Sequence, residues 1–372
     1  MKKAIVSVIN DLVTDQRVDK TCNLLAELGF NVLLVGRVLR NSPPLPPRKY
    51  SMHRMRLLFR KGPIFYAEFN FRLFFFLVFR KARLLVANDL DTLLPNYIVS
   101  RIRKTSLVCD SHELFTETPE VIQRKFVRNT WMRIERTIFP RLEDLITVSD
   151  SIAGIFTERY GIPVTVVRNI PPSRKHSTPK NRAALNLPEG KKILVMQGSG
   201  INIQRGAEEL VEAMQYLEDC HLLIIGGGDV IADLRNKVDT DKLDDRITFF
   251  PRMPVEQLYQ YTVNADLGLS IDKDTNPNYR YSLPNKLFDY IHAGIPVLTS
   301  PLVEVRKIVD QYQIGLTIEN HEPQHIAQRV RMALSDKKQL EKWKENLKFA
   351  AEELSWSKEK LKLKAIFDKY AG

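Results

Sequence analysis

Four side chains have types and positions suited to holding a phosphorylated, hydroxyl-bearing ligand: His112, Arg205, Lys286 and Asp289. In "YSLPNKLFDYIHAGIPV", residues 281–297, Ser282 suits an N-cap, Pro284 a first turn, Gly294 the residue after the helix and Pro296 a stop. Lys286 and Asp289 are three apart and share a face of that helix. One reading is a plain intrahelical ion pair, worth a few tenths of a kcal/mol. The other is a socket. A cation in the first turn opposes the helix dipole unless an anion lies in front of it, and an Asp one turn inward suits the hydroxyls of a ribose attached to that anion.

Arg205 closes a Gly-rich loop in "GSGINIQRGAEEL", residues 198–210. Exposed amides and a fixed cation suit a phosphate; the alternative is a flexible turn with a solvated Arg. The Gly-Lys-Ser/Thr of a Walker loop is missing. Gly226, Gly227 and Gly228 before Asp229 form only part of a dinucleotide fingerprint, and close packing explains such glycines, so a nicotinamide enzyme is not indicated. In the first half, "CDSHELF" sets His112 and Glu113 just after a strand, as a titratable pair or as a bridge between loops. "ANDLDTLLP" offers Asn88, Asp89 and Asp91, either as a helix cap or as ligands. Neither cluster has metal-ligand spacing.

These residues fall at the carboxyl ends of apolar runs, where open α/β sheets bind ligands. The first half reads as strands Ala4–Ile9, Asn31–Val35, Leu84–Ala87, Leu107–Cys109 and Leu145–Val148 alternating with amphipathic helices. Asp15 caps the first helix, with Val18, Cys22, Leu25 and Leu28 at helical spacing and Gly29 at its end. The Pro-rich polar segment Asn169–Lys192 marks a boundary. The pattern then restarts with strand Ile193–Gln197, a helix over 206–216, strand His221–Ile225, a helix to Val238, strand Ile247–Phe249 and strand Ala265–Ile271. Two doubly wound α/β domains are predicted: 1–172 and 191–350, with a linker at 173–190 and a final helix at 351–372 crossing back to the first domain. Trp343, Phe349, Leu354, Trp356, Leu361 and Phe367 are the expected anchors of the tail.

The chain of 372 residues has the length of two domains and the composition of a globular protein. Its apolar start, Ala4–Ile9, reads as a strand and not a signal peptide. Cys22, Cys109 and Cys220 lie far apart and suggest neither disulfides nor a metal knuckle, which points to a reducing, cytoplasmic setting. Net charge is +12, and residues 1–172 carry 27 Lys and Arg against 16 Asp and Glu, so the excess sits in the first half. From 49 to 83, Arg54, Arg56, Arg60, Lys61, Arg72, Arg80, Lys81 and Arg83 interleave with Phe59, Phe65, Tyr66, Phe69, Phe71, Phe74, Phe75, Phe76 and Phe79. Leu73–Phe79 is far too short to span a bilayer. The segment therefore predicts part core helix and part peripheral contact with an anionic membrane. No nucleic-acid recognition motif accompanies it.

In this order the pieces resemble the GT-B fold glycosyltransferases of the family 4 type. The first half is similar through "DQRVDKTCNLLAELGFNVLLV", "NDLDTLLP", "CDSHE" and "DLITVSDSIAGIFTERYGIPVTVVRNIP"; the second through "QRGAEELVEAM", "HLLIIGGGD", "ITFFPRMPVEQLYQYTVNADLGLSI" and "SLPNKLFDYIHAGIPV". The resemblance implies a retaining transferase taking a sugar from a nucleotide-sugar such as a UDP- or GDP-sugar, without a metal or other cofactor. Its acceptor is a glycan or lipid-linked molecule, and the product a surface polysaccharide or lipopolysaccharide. By position, Arg205 matches the basic residue on the diphosphate, Asp289 the carboxylate on the ribose, Lys286 the lysine of the Ser-x-Pro-x-Lys variant, and His112 the first-lobe histidine beside the sugar. The implied catalytic residues are His112, Arg205 and Lys286. The implied donor set adds Gly198, Ser199, Arg252, Tyr281, Ser282, Leu283, Asn285 and Asp289, and the acceptor set is Asp15, Arg17, Asn88, Asp89 and Glu113. Two departures are visible: Tyr281 stands where the family has its first carboxylate, and Pro284 where many members have Gly. A non-catalytic nucleotide-sugar-binding partner and a sugar-nucleotide epimerase are the alternatives.

Overall fold

The computed structural model describes residues 2–13, 15–40, 42–171 and 178–372, so part of the expected linker, 173–177, lies outside the described residues. The chain divides into two compact units, 1–169 with 358–372 and 170–357.

The first unit is built on a parallel sheet of seven strands: β1 (Lys3–Ser7), β2 (Asn31–Arg37), β3 (Ser51–Met55), β4 (Leu84–Asn88), β5 (Ser106–Asp110), β6 (Asp144–Thr147) and β7 (Val164–Val166). Their order is β3-β2-β1-β4-β5-β6-β7, with Ile5 opposite both Leu33 and Leu85. Such strands are covered on both faces, which is why they read as continuous apolar runs. Strands β3 and β7 are additions to the five expected from the sequence. The first is a polar edge strand inside the basic segment, and the second is only three residues long. Edge strands bury little and leave a weak pattern.

The helix Gly62–Val78 turns Phe65, Phe69, Leu73 and Leu77 inward at four-residue spacing. Phe71, Phe75 and Phe79 stay exposed on the other side. The final helix, Trp356–Ala371, belongs to the first unit from Lys358 onward. Leu363, Ile366, Phe367 and Tyr370 are buried, and Tyr370 Oη and Lys369 Nζ both donate to Asp144.

The second unit has six parallel strands: β8 (Lys192–Gly198), β9 (Cys220–Gly226), β10 (Ile247–Phe250), β11 (Leu267–Ser270), β12 (Val297–Thr299) and β13 (Gly315–Thr317). Their order is β10-β9-β8-β11-β12-β13. Alternate residues enter opposite cores: Leu194 and Met196 one, Ile193 and Val195 the other. Strands β12 and β13, each three residues, escape a periodicity reading.

The tail differs from expectation. Residues 337–353 form a separate helix of the second unit, burying Trp343, Leu347 and Ala350, and the chain returns to the first unit at Lys358 rather than at 351. Trp343, Leu354 and Phe367 are buried anchors, whereas Phe349 and Leu361 are exposed.

Candidate active site

In both sheets the strand order reverses once, between β1 and β4 and between β8 and β11. At such switch points the loops diverge and leave a crevice at the strands' carboxyl ends.

In the second unit the opening is reinforced by Tyr290. Its side chain is fully buried, and its hydroxyl lies 3.2 Å from the Val195 carbonyl and 3.1 Å from the Leu269 carbonyl, while accepting the Gln197 N–H at 3.3 Å. Strands β8 and β11 pair only through Leu194–Leu267 and Val195–Gly268 before the phenol comes between them. Gly268 makes room, because a Cβ there would stand 2.5 Å from the Tyr290 ring. Burial pushes the Tyr290 phenol far up, so it stays protonated.

Around this opening lie the residues able to bind an anion. Asp272, completely buried just after β11, has Lys286 Nζ 3.3 Å from one carboxylate oxygen and Arg205 Nη1 3.5 Å from the other. Arg205 lies over the Tyr279 ring at 4.1 Å. Burial pulls the Lys286 ammonium below its ordinary value; Arg205 adds to this and Asp272 opposes it. Lys286 belongs to the helix Asn285–Ala293, whose N-cap is Pro284 and whose first turn is capped by no side chain. Ser282, the expected cap, instead donates its hydroxyl back to the Tyr279 carbonyl at 2.9 Å. The preceding short helix, Pro277–Arg280, ends at that carbonyl, and Ser282 completes its last turn. One turn inward, Asp289 accepts a 3.0 Å hydrogen bond from Gln197 Nε2, and Gln197 Oε1 accepts one from Thr262 at 2.7 Å. A buried amide thus orients the carboxylate.

The two glycine loops touch backbone to backbone: Gly227 N–H donates to the Gly198 carbonyl at 3.3 Å, and Ile201 N–H to the Gly227 carbonyl at 2.9 Å. A Cβ on Gly226 or Gly228 would stand 1.8 Å from a carbonyl oxygen, so these two glycines are a packing requirement. Arg252 closes over this contact by donating to the Ser199 carbonyl.

In the first unit, Asp89 adopts φ 59° and ψ 171°, a region that non-glycine residues rarely enter. It accepts the His112 backbone N–H at 3.0 Å and lies 2.9 Å from His112 Nε2. Burial lowers the imidazole's value, but Asp89 outweighs it and holds His112 up at about 10. His112 Nδ1 is buried and makes no hydrogen bond among the described residues. Asp91, buried on the next helix beside Asp89 and Glu113, is pushed well above the usual carboxylate range, first by its burial.

The comparisons with known proteins separate by unit. Residues 16–172 match the family model "Glycosyltransferase Family 4", and residues 177–348 match "Glycosyl transferases group 1". The chain belongs to the family 4 glycosyltransferases. No curated protein matches it closely enough to count. Among solved structures, this glycosyltransferase is similar in fold to sucrose-phosphate synthase from Thermosynechococcus elongatus, with TM-score 0.81, 18% identity, and 99% of each chain covered. It is also similar to WaaG, a glycosyltransferase involved in lipopolysaccharide biosynthesis (TM-score 0.78, 16% identity, 98% of this chain and 99% of that one). A third is Anabaena HepE in complex with UDP (0.73, 14%, 99% and 100%). The GT-B fold is therefore established for the glycosyltransferase.

The structure brings Arg205, Lys286 and Asp289 to one switch point, with Gly198, Ser199 and Arg252 on the loop beside it. Asn285 opens the helix, Leu283 is buried in the core, and Tyr281 is half-buried at the end of the preceding turn. In the first unit, Asp89, His112 and Glu113 cluster, and Asp15 caps its helix by accepting the Val18 N–H at 3.1 Å. Arg17 and Asn88 are turned inward within the unit. Arg17 grips Asp110 bidentately at 2.8 and 2.6 Å and donates to the Val167 carbonyl, and Asn88 donates to the Ser7 carbonyl across the β1–β4 opening. The sequence reading missed Asp272, Gln197 and Tyr290. Asp272 had a signal, a carboxylate directly following a buried strand; the other two look like ordinary strand and helix residues until the sheet is assembled.

Proposed function

We propose that the enzyme transfers a sugar, with retention, from a nucleoside-diphosphate donor to a hydroxyl of a glycan or lipid-linked acceptor in the building of a surface glycan. The observation that carries this reading is the pairing of Arg205 and Lys286 beside a helix N-terminus whose N-cap, Pro284, supplies no side-chain cap. As the glycosidic bond to phosphate breaks, negative charge gathers on the leaving diphosphate. Two fixed cations and a helix dipole stabilise that charge in the transition state more than in the ground state. They supply the positive charge that a metal supplies elsewhere, which supports a metal-free mechanism. Asp289, oriented by Gln197, suits ribose hydroxyls, and the family resemblance sets His112 beside the donor sugar. HepE was solved with UDP and with UDP-glucose, which supports a uridine donor here. Retention rests on the family resemblance.

The acceptor side rests on the surface of the first unit. Phe71, Phe75, Phe79, Leu58 and Ile64 are exposed among Arg56, Arg60, Lys61, Arg72 and Lys81. Glu68 braces the loop that carries Leu58, accepting the Leu58 and Phe59 N–H groups at 3.0 and 2.9 Å and pairing with Arg72. Apolar side chains on a fixed basic platform suit an anionic membrane surface, which supports a lipid-linked acceptor. No helix of the described residues is long and apolar enough to cross a membrane.

A second reading, a nucleotide-sugar-binding partner without transfer, is favoured by Tyr281 in place of a carboxylate. Incubation with nucleotide sugars and lipid acceptors decides between them. Release of nucleoside diphosphate with a glycosylated acceptor supports transfer, and its anomeric configuration reports retention. Donor binding without release, also in Tyr281→Glu, supports the second reading.

A further inference from the structure

Asp272 is a buried carboxylate facing two cations, and the arrangement leaves polar atoms unsatisfied. Its Oδ2, 3.5 Å from Arg205 Nη1, accepts no hydrogen bond among the described residues, and Arg205 Nε is likewise buried without a partner. A buried carboxylate and a buried ammonium are each costly to keep charged alone, and together they offset one another. Unused donor capacity on Arg205 beside that pair suits an anion.

The backbone locks this geometry. Gly206 has φ +76°, and a Cβ there would stand 2.3 Å from the Ile271 carbonyl oxygen, so the Arg205 loop is pressed onto the strand end one residue before Asp272. Tyr279 supports the guanidinium from below.

We propose that Asp272 is a positioning residue for donor binding, holding Arg205 and Lys286 side by side as a charged pair so that the incoming diphosphate meets two prepared cations. This rests on the donor-site reading above. Burial and Arg205 both press Lys286 toward its neutral form, and Asp272 opposes them. The other groups around it are already engaged or set back. Asp289, on the same helix, receives Gln197; Lys273 pairs with Glu209; His321 Nε2 lies 2.9 Å from the Ile271 carbonyl; Tyr279 lies under Arg205. Without Asp272 the Lys286 ammonium is pressed further down, and above the lysine's value affinity falls about tenfold per pH unit.

The test is a titration of the full chain with uridine, guanosine and adenosine diphosphates and inorganic pyrophosphate from about pH 7 up to about pH 10, just below a lysine's ordinary value of about 10.4. In Asp272→Asn, the pH at which affinity has dropped tenfold lies about one unit or more below that of the wild type. Asp272→Ser, smaller and neutral, gives the same shift and keeps the test available should the amide variant fail to fold. Asp272→Asn combined with Lys286→Arg restores a flat profile, because a guanidinium keeps its proton. Profiles of Asp272→Asn and Asp272→Ser that superimpose on the wild type overturn the proposal. A wild type that binds none of these ligands instead removes the donor-site reading, and the proposal with it.

Discussion

Asp89 grips His112 at two points, accepting its backbone N–H at 3.0 Å and standing 2.9 Å from its Nε2, from a backbone conformation that costs about 1–3 kcal/mol in a non-glycine residue. A strained residue held in place by two contacts to one histidine fixes both that ring's orientation and its proton. Because His112 is held at about 10 in the folded chain and has an unfolded value near about 6.5, the folded state binds the extra proton between those limits. The pair's stabilisation is therefore complete below about pH 6.5 and lost as pH rises through about 10. Thermal melts of wild type and Asp89→Asn should differ most near about pH 6 and converge toward about pH 10; a gap that widens with pH would contradict the assignment.

The opening between β8 and β11 depends on one phenol. Tyr290→Phe leaves the Val195 and Leu269 carbonyls and the Gln197 N–H buried without this partner, a loss of about 1–3 kcal/mol. Denaturant unfolding should show it. Gly268→Ala should cost more, because its methyl group collides with the Tyr290 ring. A neutral Tyr290→Phe would mean that the hydroxyl is not what holds the strands apart.

Much of this was legible in the sequence because parallel strands buried on both faces leave long apolar runs, and the residues after those runs fall at the binding end of the sheet. Arg205, Lys286, Asp289 and His112 are singled out from the sequence in that way. What escaped depends on contacts between distant segments. Ser282 is a sound N-cap by type, yet the chain takes one more turn before Pro284 and spends its hydroxyl on Tyr279. Arg17 and Asn88 are polar residues near strand ends, and only the assembled sheet shows them turned inward to Asp110 and Ser7. Gln197 sits inside an apolar strand, and its partners Asp289 and Thr262 lie 92 and 65 residues away.

The exposed aromatic residues of the helix Gly62–Val78 and Phe79 just beyond it make a separable prediction. Vesicles containing about one third anionic lipid should bind the wild type and release it at high salt, while neutral vesicles bind it weakly. Phe71→Ser, Phe75→Ser and Phe79→Ser together should weaken binding about tenfold or more without changing the midpoint shift given by a nucleoside diphosphate. Equal binding by the triple variant would remove this surface from the account.

If Arg205 and Lys286 carry the leaving-group charge, a chelator should leave turnover unchanged and added divalent cations should raise it less than twofold. Loss of turnover with a chelator, restored by one metal, would instead assign that charge to a metal ion.

The most direct measurement is ligand-induced thermal stabilisation of the wild type, Arg205→Ala and Lys286→Ala across uridine, guanosine and adenosine diphosphates. A ligand bound only to the folded chain raises the melting midpoint with the logarithm of its concentration. At least one diphosphate should stabilise the wild type, and each substitution should weaken its binding about 10- to 100-fold, the loss expected for a charge-assisted hydrogen bond. Stabilisation that is equal in all three proteins would contradict the placement of the donor diphosphate between Arg205 and Lys286.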